Sequence, residues 1–290
     1  MFKLPRRNST VKIGLIAFTV IAAGMITVWG TIFRDTSLSR LQDRGVIRIG
    51  YAIEAPYAFL TPEGKVTGES PEIASYVVPR LGIGKILWRL VDFGSLIEEL
   101  EAGRIDVIAA GMYITPERAS RVSFSEPTFQ VQQGLLVPKG NPRHFRSYRQ
   151  LVHTAGIKVA ALSGSFEEKT LQRLGIHADQ LISVPDALTG RVAVESGAAD
   201  CLALSSLSVR WMALKSQTGQ TEIAEPFDDT SIGPRGHGAF AFRKEDGRLL
   251  AAWNGVLKPY IGSQKHLDLI AGFGFSPAEL PVSLAEVSPK

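Results

Sequence analysis

The stretch Asp92–Phe129, DFGSLIEELEAGRIDVIAAGMYITPERASRVSFSEPTF, decides the fold class. Ser95 and Glu98 have the S-x-x-E spacing of a capping box, in which hydroxyl and carboxylate satisfy each other's backbone N–H groups. Leu96, Ile97 and Leu100 form one face of the helix that follows, and Gly103 ends it. Asp106–Ala110 is apolar enough to be a strand buried on both faces. Thr115-Pro116 opens another helix: the threonine caps it, and proline at the first helical position gives up an N–H that would be unpaired anyway. Helix, buried strand and helix in succession are the pattern of an α/β sheet.

The same alternation extends both ways. Val46–Tyr51 and Ile86–Val91 read as strands, and Ile73, Tyr76, Val77 and Leu81 make Ser70–Leu81 helical by their three-and-four spacing. Gly134–Val137 is a further strand. The pattern then restarts with strands at Ile157–Leu162, Leu181–Val184 and Asp200–Leu204. Helices at Ser165–Leu174, Ala187–Ser196 and Ser206–Ser216 alternate with them. Gly238–Phe242 is a strand and Leu249–Ile261 a long helix; Leu267–Ile270 and the Gly-Phe-Gly of 272–274 close the chain. Two α/β units with mainly parallel sheets are expected, with a cleft between them where ligands commonly bind.

The 290 residues are 45% hydrophobic and 21% charged, which excludes a disordered, collagen-like or multi-span membrane chain. The net charge of +4 is not a nucleic-acid signal, because Lys3, Arg6, Arg7 and Lys12 account for all of it and residues 1–30 carry no acid. Ile13–Phe33 follows these cations without a charge, and its apolar heart is Ile13–Ala23. That is an export signal, cleaved after Gly24 or Gly30, or else retained as a single anchor. Asp35–Asp43 is a polar connector, and residues 35–290 are expected outside the cytoplasm, in the periplasm or its equivalent. Cys201 is the sole cysteine, so an intrachain disulfide, a multi-cysteine metal site and a lipid anchor after the apolar segment are all excluded.

Several residues carry binding chemistry. Arg118 falls in the first turn of the helix opened by Thr115, where a cation opposes the helix dipole. It either pairs on the surface with Glu117 or Glu126, or uses its planar fork to hold a carboxylate. In Ser163-Gly-Ser165-Phe-Glu-Glu168, Ser165 caps a helix, Glu168 closes its capping box, and the glycine-flanked N-terminus offers N–H groups to an anion. Tyr57, Phe93 and Tyr113 each follow one of the first three strands; either they pack as ordinary core, or they converge on a cleft at the strand ends and attract a cation by their faces. Glu54 adds a carboxylate beside them, unless it is a solvated loop acid. The histidines 144, 153, 177, 237 and 266 are scattered, mostly in loops, and read as surface groups. No catalytic triad, metal-spaced ligand set or cofactor motif appears, so no catalysis, metal or cofactor is expected.

VIRIGY…EAPYAF, the stretch 92–129, GSFEEKTL and ESGAADCLAL resemble a family 3 extracellular solute-binding protein of an ABC importer, over residues 41–275. The resemblance implies an α/β, periplasmic-binding-protein-like fold of type II, two α/β lobes joined by two hinge strands. Lobe 1 would be residues 41–133 and 237–290, lobe 2 residues 134–236, after a signal or anchor and connector in residues 1–40. The hinge strands would lie near Gln133–Leu136 and Gly236–Ala239. In the family the position of Arg118 clamps a ligand carboxylate, backbone groups around Gly111 and Tyr113 assist, and the Ser165 loop grips it from the other lobe. Ser205 stands where amino-acid binders carry an aspartate for the ammonium, so an ordinary α-amino acid fits less well. EAPY, DFGSL and GMYITPER look like the ectoine/hydroxyectoine-binding branch, which implies a small zwitterion with a delocalised cation. A polar amino acid or opine is the alternative ligand. A dehydratase using Glu54 as a proton carrier and a sensing domain of a signalling protein are alternatives of another class; no output domain is expected after residue 290. The implied partners are ABC permease subunits, with no nucleic acid, and with membrane contact only through residues 13–33 if these stay uncleaved.

Overall fold

The computed structural model describes residues 35–281 apart from residues 217, 229–231 and 234, so the expected export segment lies outside the described residues. Among those residues no helix is long and apolar enough to cross a membrane. In chain order the strands are β1 (Val46–Tyr51), β2 (Phe59–Leu60), β3 (Val66–Thr67), β4 (Lys85–Leu90), β5 (Val107–Ile108), β6 (Val122–Phe124) and β7 (Phe129–Val131). They continue as β8 (Gln133–Pro138), β9 (Val159–Leu162), β10 (Leu181–Val184), β11 (Cys201–Ser205), β12 (Thr221–Ile223), β13 (Gly236–Gly238) and β14 (Ala241–Arg243).

Two five-stranded sheets form, in the orders β4-β1-β5-β14-β6 and β10-β9-β11-β8-β12, each the centre of one lobe. The expectation of mainly parallel sheets is corrected. β1 is parallel to β4 and β5, but β14 is antiparallel to β5 and β6. Likewise β9 is parallel to β10 and β11, but β8 is antiparallel to β11 and β12. The physical reason is the crossings: β14 and β8 each enter their sheet as the chain arrives from the other lobe, so they run against strands built by helical crossovers. β7 and β13 carry the chain between lobes and pair antiparallel, Gly236 opposite Val131 and Gly238 opposite Phe129. The first crossing strand therefore lies ahead of Gln133–Leu136, which already belongs to the second sheet.

The continuous apolar runs are explained by burial on both faces. Along β9, Val159 and Ala161 join one core with Leu171 and Tyr148, while Ala160 and Leu162 join another with Leu96 and Leu100. Along β11, Cys201 and Ala203 alternate with Leu202 and Leu204 in the same way. In the first lobe Ile47, Ile49, Phe240 and Phe242 pack against Ile73, Val77, Leu249 and Trp253, from helices Glu69–Arg80 and Gly247–Leu257. Each such fully buried side chain contributes about 1.5–3 kcal/mol.

Three local expectations fail for identifiable reasons. Ser95 caps nothing: it closes the 3-10 turn Phe93–Ser95 with φ −97° and ψ −5°, already helical, so its hydroxyl does not face the next turn. Glu98 pairs instead with Arg121 at 2.9 Å. Gly238–Phe242 is two strands, β13 and β14, with Ala239 and Phe240 between them. His237 is buried as well, and His266 is not a surface group. It lies one turn before Ile270 on the inner face of helix Gln264–Ala271, fully buried, with Nδ1 accepting from Gly262 N–H at 3.1 Å, and burial pushes its pKa down to about 4.

At the edge of the first lobe Asp106 is buried beneath arginines. Its Oδ2 accepts from Arg48 N–H (2.9 Å), Arg48 Nε (3.1 Å) and Arg44 Nη2 (2.6 Å), and its Oδ1 from Arg48 Nη2 (2.7 Å). Arg243 Nη2 stands 3.6 Å away and pairs with Asp246 at 2.6 Å.

Candidate functional site

The site begins in the turn after β1. Tyr57 N–H donates to Glu54 O at 2.9 Å and Glu54 N–H to Ala58 O at 2.9 Å, which turns both side chains toward the second lobe. The Tyr57 ring stacks on Phe129 at 4.7 Å and lies directly beneath Gly111. Gly111 has φ +63°, and a Cβ there would come within 2.5 Å of Tyr57 Cγ, so both conformation and space require glycine. Tyr57 is thus a wall layer set behind the site.

From that ring a hydrogen-bond chain crosses between the lobes. Tyr57 OH donates to Ser205 Oγ (2.9 Å), Ser205 to Ser208 Oγ (3.1 Å), and Ser208 to Glu54 Oε1 (2.7 Å). Ser205 Oγ also caps helix Ser206–Lys215 by accepting from Ser208 N–H at 3.1 Å. Tyr57→Phe is expected to cost about 0.5–1.5 kcal/mol, because it removes the donor to Ser205 and leaves the ring stack intact. Denaturant unfolding measures this; no loss would mean the chain from Tyr57 to Glu54 is not stabilising.

Arg118 lies where expected, its N–H donating to Thr115 Oγ1 at 3.2 Å in the first turn of helix Pro116–Arg121. Its guanidinium donates to Tyr113 O and, across the cleft, to Gly164 O, both at 3.0 Å, and stands 5.3 Å from the centre of the Phe93 ring. The surface pairing with Glu117 or Glu126 is not made; Glu126 pairs with Lys258 at 2.9 Å. Among the described residues no carboxylate lies within ion-pair distance of Arg118. Burial lowers its pKa, against the opposing charge of Glu167 and its neighbours.

The second lobe contributes the loop Ser163–Ser165. Gly164 has φ +73°, and a Cβ on it would fall 2.6 Å from Gly94 Cα, so the two lobes meet here backbone to backbone. Ser165 is buried and caps helix Phe166–Leu174 by accepting from Glu168 N–H at 3.0 Å. The expected capping box is only half made: Glu168 reaches one residue further, accepting from Gly164 N–H at 2.8 Å and from the Ser183 hydroxyl.

Glu54, Phe93, Gly111, Tyr113, Arg118 and Ser165 therefore line one inner chamber, while Tyr57 and Ser205 stand one layer behind it. Two further lining residues, Phe166 and Glu167, were not singled out by the sequence. Glu167 in GSFEE reads as a first-turn acid that the helix dipole would favour anyway, and Phe166 as core. Glu167 is buried, and burial pushes its pKa up to about 7 although its own backbone N–H and Arg118 pull it down. Glu54 is pushed up to about 8, by burial first and then by the charge of Glu167, against the Ser208 hydrogen bond and Arg118. The chamber itself is nearly closed, about 10 Å³, and shares Phe93, Tyr113, Arg118, Ser165 and Phe166 with an adjoining cavity of about 730 Å³. One buried guanidinium, two buried carboxyls and three rings offer partners for both signs of charge beside that cavity.

Residues 47–271 match the bacterial extracellular solute-binding proteins, family 3. The chain belongs to that family. This solute-binding protein is 35% identical over 259 residues to the probable amino-acid ABC transporter periplasmic-binding protein y4tE of Sinorhizobium fredii, covering 88% of this chain and 84% of the relative. Among solved structures it is similar to EhuB in complex with hydroxyectoine, with a TM-score of 0.78 and 31% identity over 84% of this chain and 94% of that one. It is also similar to a mutant of the arginine-binding protein ArgBP from T. maritima, with a TM-score of 0.74 and 26% identity over 82% and 99% of the two chains. The two lobes are those of a type II periplasmic binding protein, and the protein is a bacterial extracellular solute-binding protein of family 3.

Proposed function

We propose that this solute-binding protein captures a small zwitterion with a delocalised cation, ectoine or hydroxyectoine, outside the cytoplasm and delivers it to the permease subunits of an ABC importer. The observation that carries the reading is Arg118, a guanidinium bonded only to carbonyls in a chamber that also holds two acids and the rings Phe93, Tyr113 and Phe166. The ligand carboxylate pairs with Arg118, assisted by Ser165 and the backbone around Gly111. The cyclic amidinium lies among the ring faces near Glu54, where each face contributes about 0.5–2 kcal/mol. The likeness to EhuB with hydroxyectoine supports this ligand. Residues 41–133 with 237–290 and residues 134–236 act as the two lobes, closing on the ligand about β7 and β13.

A polar or basic α-amino acid, or an opine, is the second reading. The observation favouring it is that Glu54 and Glu167 supply negative charge that Ser205 does not, and the likeness to ArgBP points the same way. Competitive calorimetric titration with ectoine, hydroxyectoine, L-glutamine and L-arginine decides between them: an α-amino acid binding tighter than ectoine sinks the first reading. Phe93→Ala and Tyr113→Ala are each expected to lose at least several-fold affinity, while Tyr113→Phe loses much less, because the ring face is the acting group. Incubation with cyclic carboxylic acids separates a binding protein from a dehydratase using Glu54, since binding saturates without product.

A further inference from the structure

We infer that Glu167 is a specificity-determining residue: with Glu54 it forms an anionic subsite divided between the two lobes, which accepts the ligand's cation and turns away carboxylates that lack one. The inference rests on the chamber being the ligand site, and it concerns the charge the ligand must bring, whichever zwitterion that is. Glu54 enters from the turn after β1 and Glu167 from the first turn of helix Phe166–Leu174, so one acid comes from each lobe. They are 8% and 5% exposed, and neither makes an ion pair among the described residues. Glu54 has a hydroxyl partner in Ser208, and the cation shared by both acids is Arg118, acting at longer range.

The helix dipole alone does not account for Glu167. A first-turn acid gains from the dipole while solvated, and burying the carboxylate costs more than that gain. Ser165 and Glu168 serve the helix N-terminus, and the Glu167 carboxyl draws on its own backbone N–H and on Ser165, which do not offset its burial. The charge count supplies the missing reason. Burial favours the neutral form of both acids, and a ligand carboxylate on Arg118 favours it further; a cation on the ligand is what lets both acids ionise. Burial raises the pKa of both acids, and the charge of Glu167 adds to the rise of Glu54. Because the acids sit on opposite lobes that touch at Gly94 and Gly164, the cation is held between them only when those loops meet. Lys169, two residues along the same helix and so on another face, is exposed and lines the outer cavity, not the chamber, so it does not neutralise Glu167.

The test compares the full-length protein with Glu167→Gln in calorimetric titrations against two sets of probes. Ectoine, L-arginine and L-glutamine carry a carboxylate and a cation; 5-oxoproline and succinate carry carboxylates alone. The wild type is expected to prefer its best cation-bearing probe over 5-oxoproline by at least about a hundredfold, and Glu167→Gln to shrink that ratio at least about tenfold. Glu167→Asp, which keeps the charge, is expected to restore much of the ratio. A folded Glu167→Gln that leaves the ratio within threefold overturns the assignment. So does a wild type that binds 5-oxoproline as tightly as its best zwitterion, a comparison that needs no variant to fold. A wild type that binds arginine and not ectoine overturns the ectoine reading and leaves Glu167 standing; one that binds no probe overturns both.

Discussion

Arg118→Ala is expected to abolish measurable ligand binding while the protein stays folded. The guanidinium is the one buried cation of the inner chamber, and its two hydrogen bonds go to the carbonyls of Tyr113 and Gly164. That arrangement fixes the plane of the fork, so a carboxylate meets it without further ordering of the side chain. Removing one partner of a desolvated charge pair costs about 2–5 kcal/mol, or about 30- to 5,000-fold in Kd. The helix start survives, because Thr115 caps it through the backbone N–H of residue 118, which alanine keeps. Arg118→Lys is expected to recover little, since an ammonium lacks the planar fork that holds both carbonyls and a carboxylate together. Calorimetric titration beside a thermal melt checks this. A folded Arg118→Ala that binds within tenfold of wild type would show that another group takes the carboxylate.

Asp106→Ala is expected to produce the largest loss of stability, about 3 kcal/mol, by leaving the guanidinium and backbone N–H of Arg48 without their carboxylate. Asp106 is almost wholly buried and gathers the side chain and backbone of Arg48, with Arg44 and Arg243 beside them. Arg44 is more exposed and Arg243 keeps Asp246 at 2.6 Å, so most of the loss falls on Arg48. In a chain of this size the change corresponds to about 6–12 °C in Tm. Burial would raise the carboxyl's pKa, but hydrogen bonds from Arg48 and Arg44 outweigh it and the net shift is downward. With the folded pKa depressed, the contribution is full above the ordinary aspartate value and is lost as pH falls through the lower folded one. Denaturant unfolding at neutral pH and along the acid limb should therefore show wild type falling toward the variant. A loss below about 1 kcal/mol at neutral pH would mean the arginines find other partners.

How far the sequence could be read depended on whether the cause of each feature was local. Val159–Leu162 and Cys201–Ser205 were legible because burial on both faces forces every residue to be small or apolar. Thr115-Pro116 was legible because a cap and its helix lie within one turn. The antiparallel β8 and β14 were not, since their direction is set by where the chain comes from. Tyr57 and Ser205 were placed in the site by strand-end position and by resemblance, but a hydroxyl pair at 2.9 Å across two lobes holds them in the wall. Glu167 was hidden because a first-turn glutamate is what most helices carry; only the closeness of Arg118 and Glu54, distant in sequence, gives it meaning.

The place of β14 bears on how the protein is made. Residues 241–243 lie between β5 and β6, and β6 reaches the first sheet only through them. The second sheet is drawn wholly from residues 133–223. On the ribosome, then, the later-made lobe can complete its sheet first, while the earlier-made one waits with a gap for a strand translated more than a hundred residues after its neighbours. During that interval the apolar edge of β5, with Val107 and Ile108, has no partner on one side, and such an edge invites aggregation.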